Sequence, residues 1–353
     1  MNGTVASRGS LLDQVPRLNG RPTVLLFYDG FELSLRPGMV GYSRAHLRGL
    51  ARYVYRSLRR QQVWTGFYTA FRLLVESLRR YGCDVRINAF GVAASHPAYP
   101  IGIAGYPSVL QAADLPNPRI FGPGDYGYPD AAAIVARDPR NRILTQPSEW
   151  PVEFYRGACG DKMQALFVGI DTELWPDLSG KPKDLDFIVY DKIRWNADGM
   201  VRHDEPAPVV EQTRRRLDHL GLSYVVLRYG GHHVRQFRQA LSRARGMIFL
   251  CEHETQGIAY QEALASNVPV LALDEGILLD PMQKRFASPD LRVSSVPYFD
   301  ATCGETFVAD DFEVALDRFL RKRHTYRPRE YVLNCLSMQQ AAANYLRMYC
   351  SLA

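Results

Sequence analysis

Short apolar runs alternate with longer amphipathic stretches along most of the chain, and the alternation occurs in two series. This pattern constrains the fold most, because strand–helix–strand successions close as parallel sheets with helices on both faces. In the first series, "RPTVLLFYDG" predicts a buried strand over Thr23 to Tyr28, stopped by Asp29 and Gly30. Two helices are expected next. "YSRAHLRGLARYVYRSLRR" carries Leu47, Leu50, Val54 and Leu58 at helical spacing, and "TGFYTAFRLLVESLRRYG" opens at Thr65 and Gly66 and closes at Gly82. "CDVRINAF", "NRILTQP" and "MQALFVGI" read as further strands, while the Gly-, Pro- and Tyr-rich region 91–130 predicts short strands joined by irregular loops.

"DTELWPDLSGKPKD" is dense in Pro, Asp and Lys and reads as a linker near residues 172–184. A second series comes after it. Strands are expected at "LDFIVYDK", "LSYVVLRYGG", "MIFLCE" and "VPVLALDEG", and helices at "APVVEQTRRRLDHLG", "VRQFRQALSRARG" and "GIAYQEALASN". "DDFEVALDRFLRKR" is a further helix, and "PREYVLNCLSMQQAAANYLRMYC" a long terminal one. The expected organisation is a polar tail over 1–20 and an N-terminal α/β domain over 21–175. A C-terminal α/β domain occupies 176–330, and a last helix over 331–353 returns toward the first domain. Both sheets are parallel, and the two domains face each other across a cleft. Ligands of such sheets sit at the carboxyl ends of strands.

Composition narrows the class. The chain has 353 residues, 23% of them charged, and a formal net charge of +6. It has no apolar run long enough to span a bilayer and no signal-peptide layout at "MNGTVASRGSLLDQ", so a cytoplasmic protein is expected. The six cysteines are scattered, with no C-x-x-C pair, so neither a disulfide framework nor a zinc site is indicated. The positive balance is either Arg-rich composition without function or a sign of an anionic partner. No nucleic-acid-binding motif accompanies it.

Chemistry concentrates in "FLCEHETQGIAYQEALASNVPVLALDEG". The strand "MIFLC" ends just before "EHETQ", which therefore lies at a sheet's carboxyl end. The helix opening near Gly257 presents free N–H groups and the positive end of its dipole. Glu254 stands before that helix and Glu262 inside it. Carboxylates accept from hydroxyls and amides donate to them, so the set suits a polyhydroxylated ligand. The alternative is that Glu254 caps the helix and Glu262 is a surface residue. Gly257 favours the ligand, since glycine lets it approach the backbone.

The segment resembles retaining GT-B glycosyltransferases, family four in particular. Glu254, Gly257, Glu262, Ala263, Ala265, Pro269 and Val270 fall on the E-x-F-G-x-x-x-x-E-A-x-A-x-G-x-P-V pattern, with Gln256 replacing the aromatic and Asn267 the glycine. "VGIDTELWP" is similar to the family's interdomain segment at Gly169, Asp171, Thr172 and Pro176. The resemblance implies a GT-B fold of two Rossmann-like domains. It also implies transfer of a hexose, with retention, from a nucleotide sugar to a glycan or lipid-linked acceptor in cell-surface polysaccharide or glycoconjugate biosynthesis.

By the same resemblance Glu254 is the catalytic-site residue holding the donor sugar, and Glu262 holds the ribose. Thr255, Gln256, Gly257 and Ile258 meet the sugar and diphosphate. Lys192 and Arg194 neutralise the diphosphate; the alternative for both is a solvated loop charge. Tyr229, Gly230, Gly231 and His232 fall where relatives contact the base, although the double Gly also fits a plain turn. Gly66 approaches the diphosphate or is an ordinary helix start. No cofactor and no metal are implied; the nucleotide sugar is the substrate. Arg44, Arg48, Arg52, Arg56 and Arg60 recur every fourth residue of one predicted helix. They form either a solvated face or a dock for an anionic membrane surface at the inner face of the membrane. The competing functions are a nucleotide-sugar epimerase or phosphorylase of the same fold, and a non-catalytic sugar-binding protein.

Overall fold

The computed structural model describes residues 8–29, 39–58, 66–196, 199–200 and 206–353. In chain order the first elements are α1 (Arg8–Leu12), β1 (Arg17–Leu18), β2 (Arg21–Asp29), α2 (Met39–Leu58), α3 (Gly66–Tyr81), β3 (Asp84–Ile87) and α4 (Phe90–Ser95). They continue as β4 (Ile101–Gly105), α5 (Ser108–Ala112), β5 (Arg119–Gly124), α6 (Pro129–Arg137), β6 (Asn141–Gln146), α7 (Glu149–Cys159) and β7 (Met163–Ala165). The second half comprises β8 (Leu185–Asp191), β9 (Trp195–Asn196), β10 (Gly199–Met200), α8 (Pro208–His219), β11 (Tyr224–Arg228), α9 (Val234–Arg243) and β12 (Ala244–Leu250). It ends with α10 (Ile258–Ala265), β13 (Val270–Leu273), α11 (Pro281–Lys284), β14 (Gly304–Phe307), α12 (Phe312–Lys322), α13 (Pro328–Cys335) and α14 (Met338–Cys350).

These elements form two compact α/β units. Among the described residues, the first takes 8–29, 39–55, 66–169 and 336–353, and the second takes 56–58 and 170–335. In the first unit β3 and β4 flank β2 in parallel, β5, β6 and β7 extend the sheet in parallel, and only β1 runs antiparallel. Val24, Leu25, Leu26 and Phe27 are fully buried in succession. A strand covered on both faces needs such an unbroken apolar run. Helix α3 turns Phe71, Leu74 and Leu78 inward, and α14 packs on α3. The Tyr349 hydroxyl accepts from Leu25 N at 3.1 Å and donates to Pro100 O at 2.5 Å, which ties α14 to the sheet.

The second unit has five parallel strands in the order β11–β8–β12–β13–β14. From β8 the chain moves outward to β11, then crosses to β12 and continues the other way. The winding therefore reverses between β8 and β12, and Leu250 pairs with Asp191 where the two strands end level. Phe187, Val189, Ile248, Leu250, Leu271, Phe312 and Phe319 form its core. Gly221 and Asn267 close α8 and α10 at φ of 63° and 61°, the left-handed geometry that ends a helix.

The structure differs from the sequence expectation at several places. The expected polar tail over 1–20 carries α1 and β1 among its described residues, with Leu11 and Val15 buried in the core and β1 paired to β2. Region 91–130 contains the helices α4 and α5 and the start of α6, not strands and loops alone. Helix α7 was not predicted; its Pro151 lies in the first turn, where a missing N–H costs no internal bond. The terminal helix breaks into α13 and α14 because Ser337 caps α14, its side chain accepting from Gln340 N at 3.3 Å.

Candidate functional site

The reversal between β8 and β12 is where an open parallel sheet leaves a crevice at its carboxyl ends. Two loops leave the sheet there: Asp191 to Arg194 after β8, and Cys251 to Gly257 after β12. Lys192 N donates to Leu250 O at 2.8 Å, which joins them at the root. Arg228, at the end of β11, pairs with Asp191 Oδ2 at 2.5 Å and donates to Ile193 O at 2.9 Å. Asp191 Oδ1 accepts from Ile193 N at 3.1 Å. The first loop is thus fixed by a mostly buried ion pair and a local turn.

Two cation–carboxylate pairs cross between the loops. The Lys192 ammonium pairs with Glu254, and the side chains are 15% and 11% exposed. Lys192 Nζ also lies 4.5 Å from the centroid of the Tyr229 ring. Burial works against the Lys192 charge, but Glu254, Cys251 and Tyr229 outweigh it and hold its pKa above the ordinary value. Arg194 Nε lies 3.4 Å from Glu252 Oε1, and Arg194 N donates to Glu252 Oε2 at 3.2 Å. Burial raises the pKa of Glu252. Lys192 is therefore not a solvated loop charge, whereas the Arg194 side chain remains 51% exposed and keeps contact with solvent while paired with Glu252.

After Glu254 the chain enters α10 through Gly257, whose φ of +82° is left-handed. A Cβ there would also run into the Tyr260 ring. Glycine is thus required at this position by backbone and packing alike. No side chain caps α10, so Glu254 does not act as its cap. Thr255 is exposed and Ile258 half-buried. Gln256 is buried: its Nε2 donates to Gln261 Oε1 at 3.0 Å, and its carbonyl accepts from Gln261 Nε2 at 2.9 Å. The side chain replacing the family's aromatic is therefore bound to Gln261 of α10.

Glu262 is half-buried and does not behave as a surface residue. Burial pushes its carboxyl up to about 8, although Arg238 and a hydrogen bond from Trp175 both pull the other way. Trp175 is buried, and Arg238 lies over its ring at 5.0 Å. Tyr190, next to last in β8, is buried close enough to both Glu262 and Glu254 that each raises the pKa of its phenol, after burial itself.

Of the remaining candidates, Tyr229 reaches the site through Lys192. Gly230 adopts φ of +77° and Gly231 N donates to Arg228 O at 3.0 Å, so the double glycine forms a tight turn. His232 packs edge-on to Tyr190, and its Nδ1 lies 2.8 Å from Arg228 O. Gly66 belongs to the first unit, is exposed at the start of α3, and has open space where a Cβ would stand. Arg60 lies outside the described residues, as do the side chains of Arg44 and Arg48. Among the described residues no group of three His, Cys, Asp or Glu is placed to hold a metal ion. Asp184 and Asp186, an Asp-x-Asp at the opposite end of β8, pair with Arg243 and Arg245. The sequence reading passed over Glu252, Tyr190, Trp175, Arg228 and Arg238. All five lie in segments already quoted, Glu252 in the same segment as Glu254 and Glu262, but no motif or spacing singles them out.

No protein-family model and no curated protein sequence matches the chain. Solved structures do. Sucrose-phosphate synthase from Thermosynechococcus elongatus is 11% identical with a TM-score of 0.56, over 94% of this chain and 99% of that one. AviGT4, a glycosyltransferase involved in avilamycin A biosynthesis, is 13% identical with a TM-score of 0.51, over 94% and 98%. The lipopolysaccharide outer core galactosyltransferase WaaB is 9% identical with a TM-score of 0.51, over 92% and 98%. The chain has the fold of the GT-B glycosyltransferases, two Rossmann-like α/β units with parallel sheets. Among the described residues no helix is long and apolar enough to cross a membrane.

Proposed function

We propose that the protein is a glycosyltransferase that takes a hexose from a nucleotide sugar, with retention, and delivers it to a glycan or lipid-linked acceptor. The observation that carries this reading is Lys192 paired with Glu254 at the switch point of the second sheet, beside the N-terminus of α10. A cation and helix-end amides meet a diphosphate, and a carboxylate accepts from sugar hydroxyls. The same cation stabilises the negative charge that develops on the departing nucleotide. Glu262, near Tyr190 and Trp175, is assigned to the ribose. The resemblance of the Glu254, Gly257 and Glu262 pattern to that of the retaining family is what suggests the retaining course, in which the leaving phosphate takes the acceptor's proton on the same face. The fold neighbours, two of them named for glycan or antibiotic assembly, support a biosynthetic role. A thermal-shift series against UDP, GDP, ADP and dTDP tests the donor site. One of the four is expected to raise the melting temperature by several degrees at saturating concentration, roughly 2–4 °C per kcal/mol of binding linkage. No shift with any of them removes the reading.

The acceptor side is proposed to meet an anionic membrane surface through α2. Leu47, Leu50, Tyr53, Val54 and Leu58 are exposed on this helix, which also carries Arg48, Arg52 and Arg56. Apolar anchors beside arginines suit an interface of anionic lipid. Co-sedimentation with phosphatidylglycerol vesicles is expected at low salt and lost in Leu50→Glu/Leu58→Glu. Equal sedimentation of the variant contradicts it.

A further inference from the structure

We infer that the Lys192–Glu254 pair makes the site discriminate against the bare nucleoside diphosphate in favour of the intact nucleotide sugar. This rests on the donor reading above and names a regulatory property of the same site. Both side chains are largely withdrawn from water; the Cys251 thiol lies 3.8 Å from Glu254 Oε1 and the Tyr229 ring 4.5 Å from Lys192 Nζ, but each group's opposite charge comes from the other. An incoming diphosphate takes the ammonium for itself, because a phosphate–ammonium contact is a strong charge-assisted bond. That separates Glu254 from the cation now joined to it.

The fate of the freed carboxylate depends on the group the diphosphate carries. With a sugar attached, hydroxyls donate to Glu254 and replace the ammonium. Without one, the carboxylate loses its cation and faces the phosphate's negative charge at short range in a poorly solvated loop. Intact donor is therefore accommodated, and the nucleotide left after transfer is opposed by Glu254. Re-formation of the Lys192–Glu254 pair favours its departure.

The neighbouring pair does not share this property. Glu252 is 1% exposed and is held by both Nε and backbone N of Arg194. Its carboxylate is closed to hydroxyls, so it keeps Arg194 whether or not the site is filled. Lys192 is the cation that changes partner.

The test compares dissociation constants, by titration calorimetry, of UDP, GDP, ADP and dTDP with those of their glucose conjugates. Wild type, Glu254→Gln and Lys192→Met are measured. For the nucleotide that wild type recognises, Glu254→Gln is expected to bind the bare diphosphate roughly tenfold tighter. It is also expected to lose the preference for the conjugate. Lys192→Met is expected to bind the bare diphosphate more weakly. If Glu254→Gln fails to fold, Glu254→Ser removes the same charge and carries the same expectation. A variant that folds and binds the bare diphosphate no tighter than wild type overturns this inference and leaves the donor reading standing. Wild type binding none of the eight compounds overturns the donor reading and the inference with it.

Discussion

Glu254→Ala is expected to lower kcat/KM for transfer from the nucleotide sugar on the order of 10²–10³-fold, the usual cost of losing one preorganised polar group at a reacting centre. Two effects add. The donor sugar loses its acceptor, and the Lys192 ammonium, 15% exposed, loses the carboxylate that balances it. The loss should appear in kcat as well as KM, because orientation of the sugar changes along with its binding. Glu254→Gln should be less severe, since an amide oxygen still accepts from a hydroxyl. In that variant product inhibition by the nucleotide should increase, in keeping with the partner exchange proposed for Lys192. The measurement is initial-rate kinetics of nucleotide release with the donor that wild type turns over. Rates within a factor of about three of wild type for Glu254→Ala would remove Glu254 from the site, being far below the cost assigned to such a group.

Glu262→Gln should flatten the dependence of stability on pH. Burial lifts the Glu262 carboxyl to about 8 from an ordinary value of 4.5. Between those values the folded chain holds a proton that the unfolded chain has released. This contribution is therefore complete below about pH 4.5 and is lost as pH rises through about 8. A neutral amide keeps the hydrogen bond with Trp175 without that loss. The wild-type melting temperature should fall, relative to Glu262→Gln, by on the order of 5 °C between pH 5 and pH 9. Parallel curves for the two proteins, measured by calorimetry, would show that Glu262 titrates normally.

Much of this architecture was legible because strands covered on both faces must be apolar throughout. "TVLLFY" and "MIFL" carry that requirement in plain form. Helix α7 was not legible, because Trp150 and Pro151 open it and hide its period. The break at Ser337 was hidden by helix-forming residues on both sides, and only the cap shows it. At the site, Glu254, Gly257 and Glu262 could be read since one loop and one helix carry all three. Glu252 could not: in "CEHE" it is one acid among two, and only the end of β12 at Leu250 sets which one pairs with Arg194 and which with Lys192. Trp175, Arg228 and Arg238 arrive from elements distant in sequence, so no local spacing announces them.

The loops after β8 and β12 are proposed to bind an activated sugar and release its nucleotide. The most direct measurement is nucleotide release by wild-type protein from UDP-, GDP-, ADP- and dTDP-linked hexoses, with the anomeric configuration of the product read by NMR. Release from one of these donors, with the donor's configuration kept and the activity lost in Glu254→Ala, is the predicted result. Release from none of them, or a product of opposite configuration, would contradict the assignment of these residues to a retaining transfer.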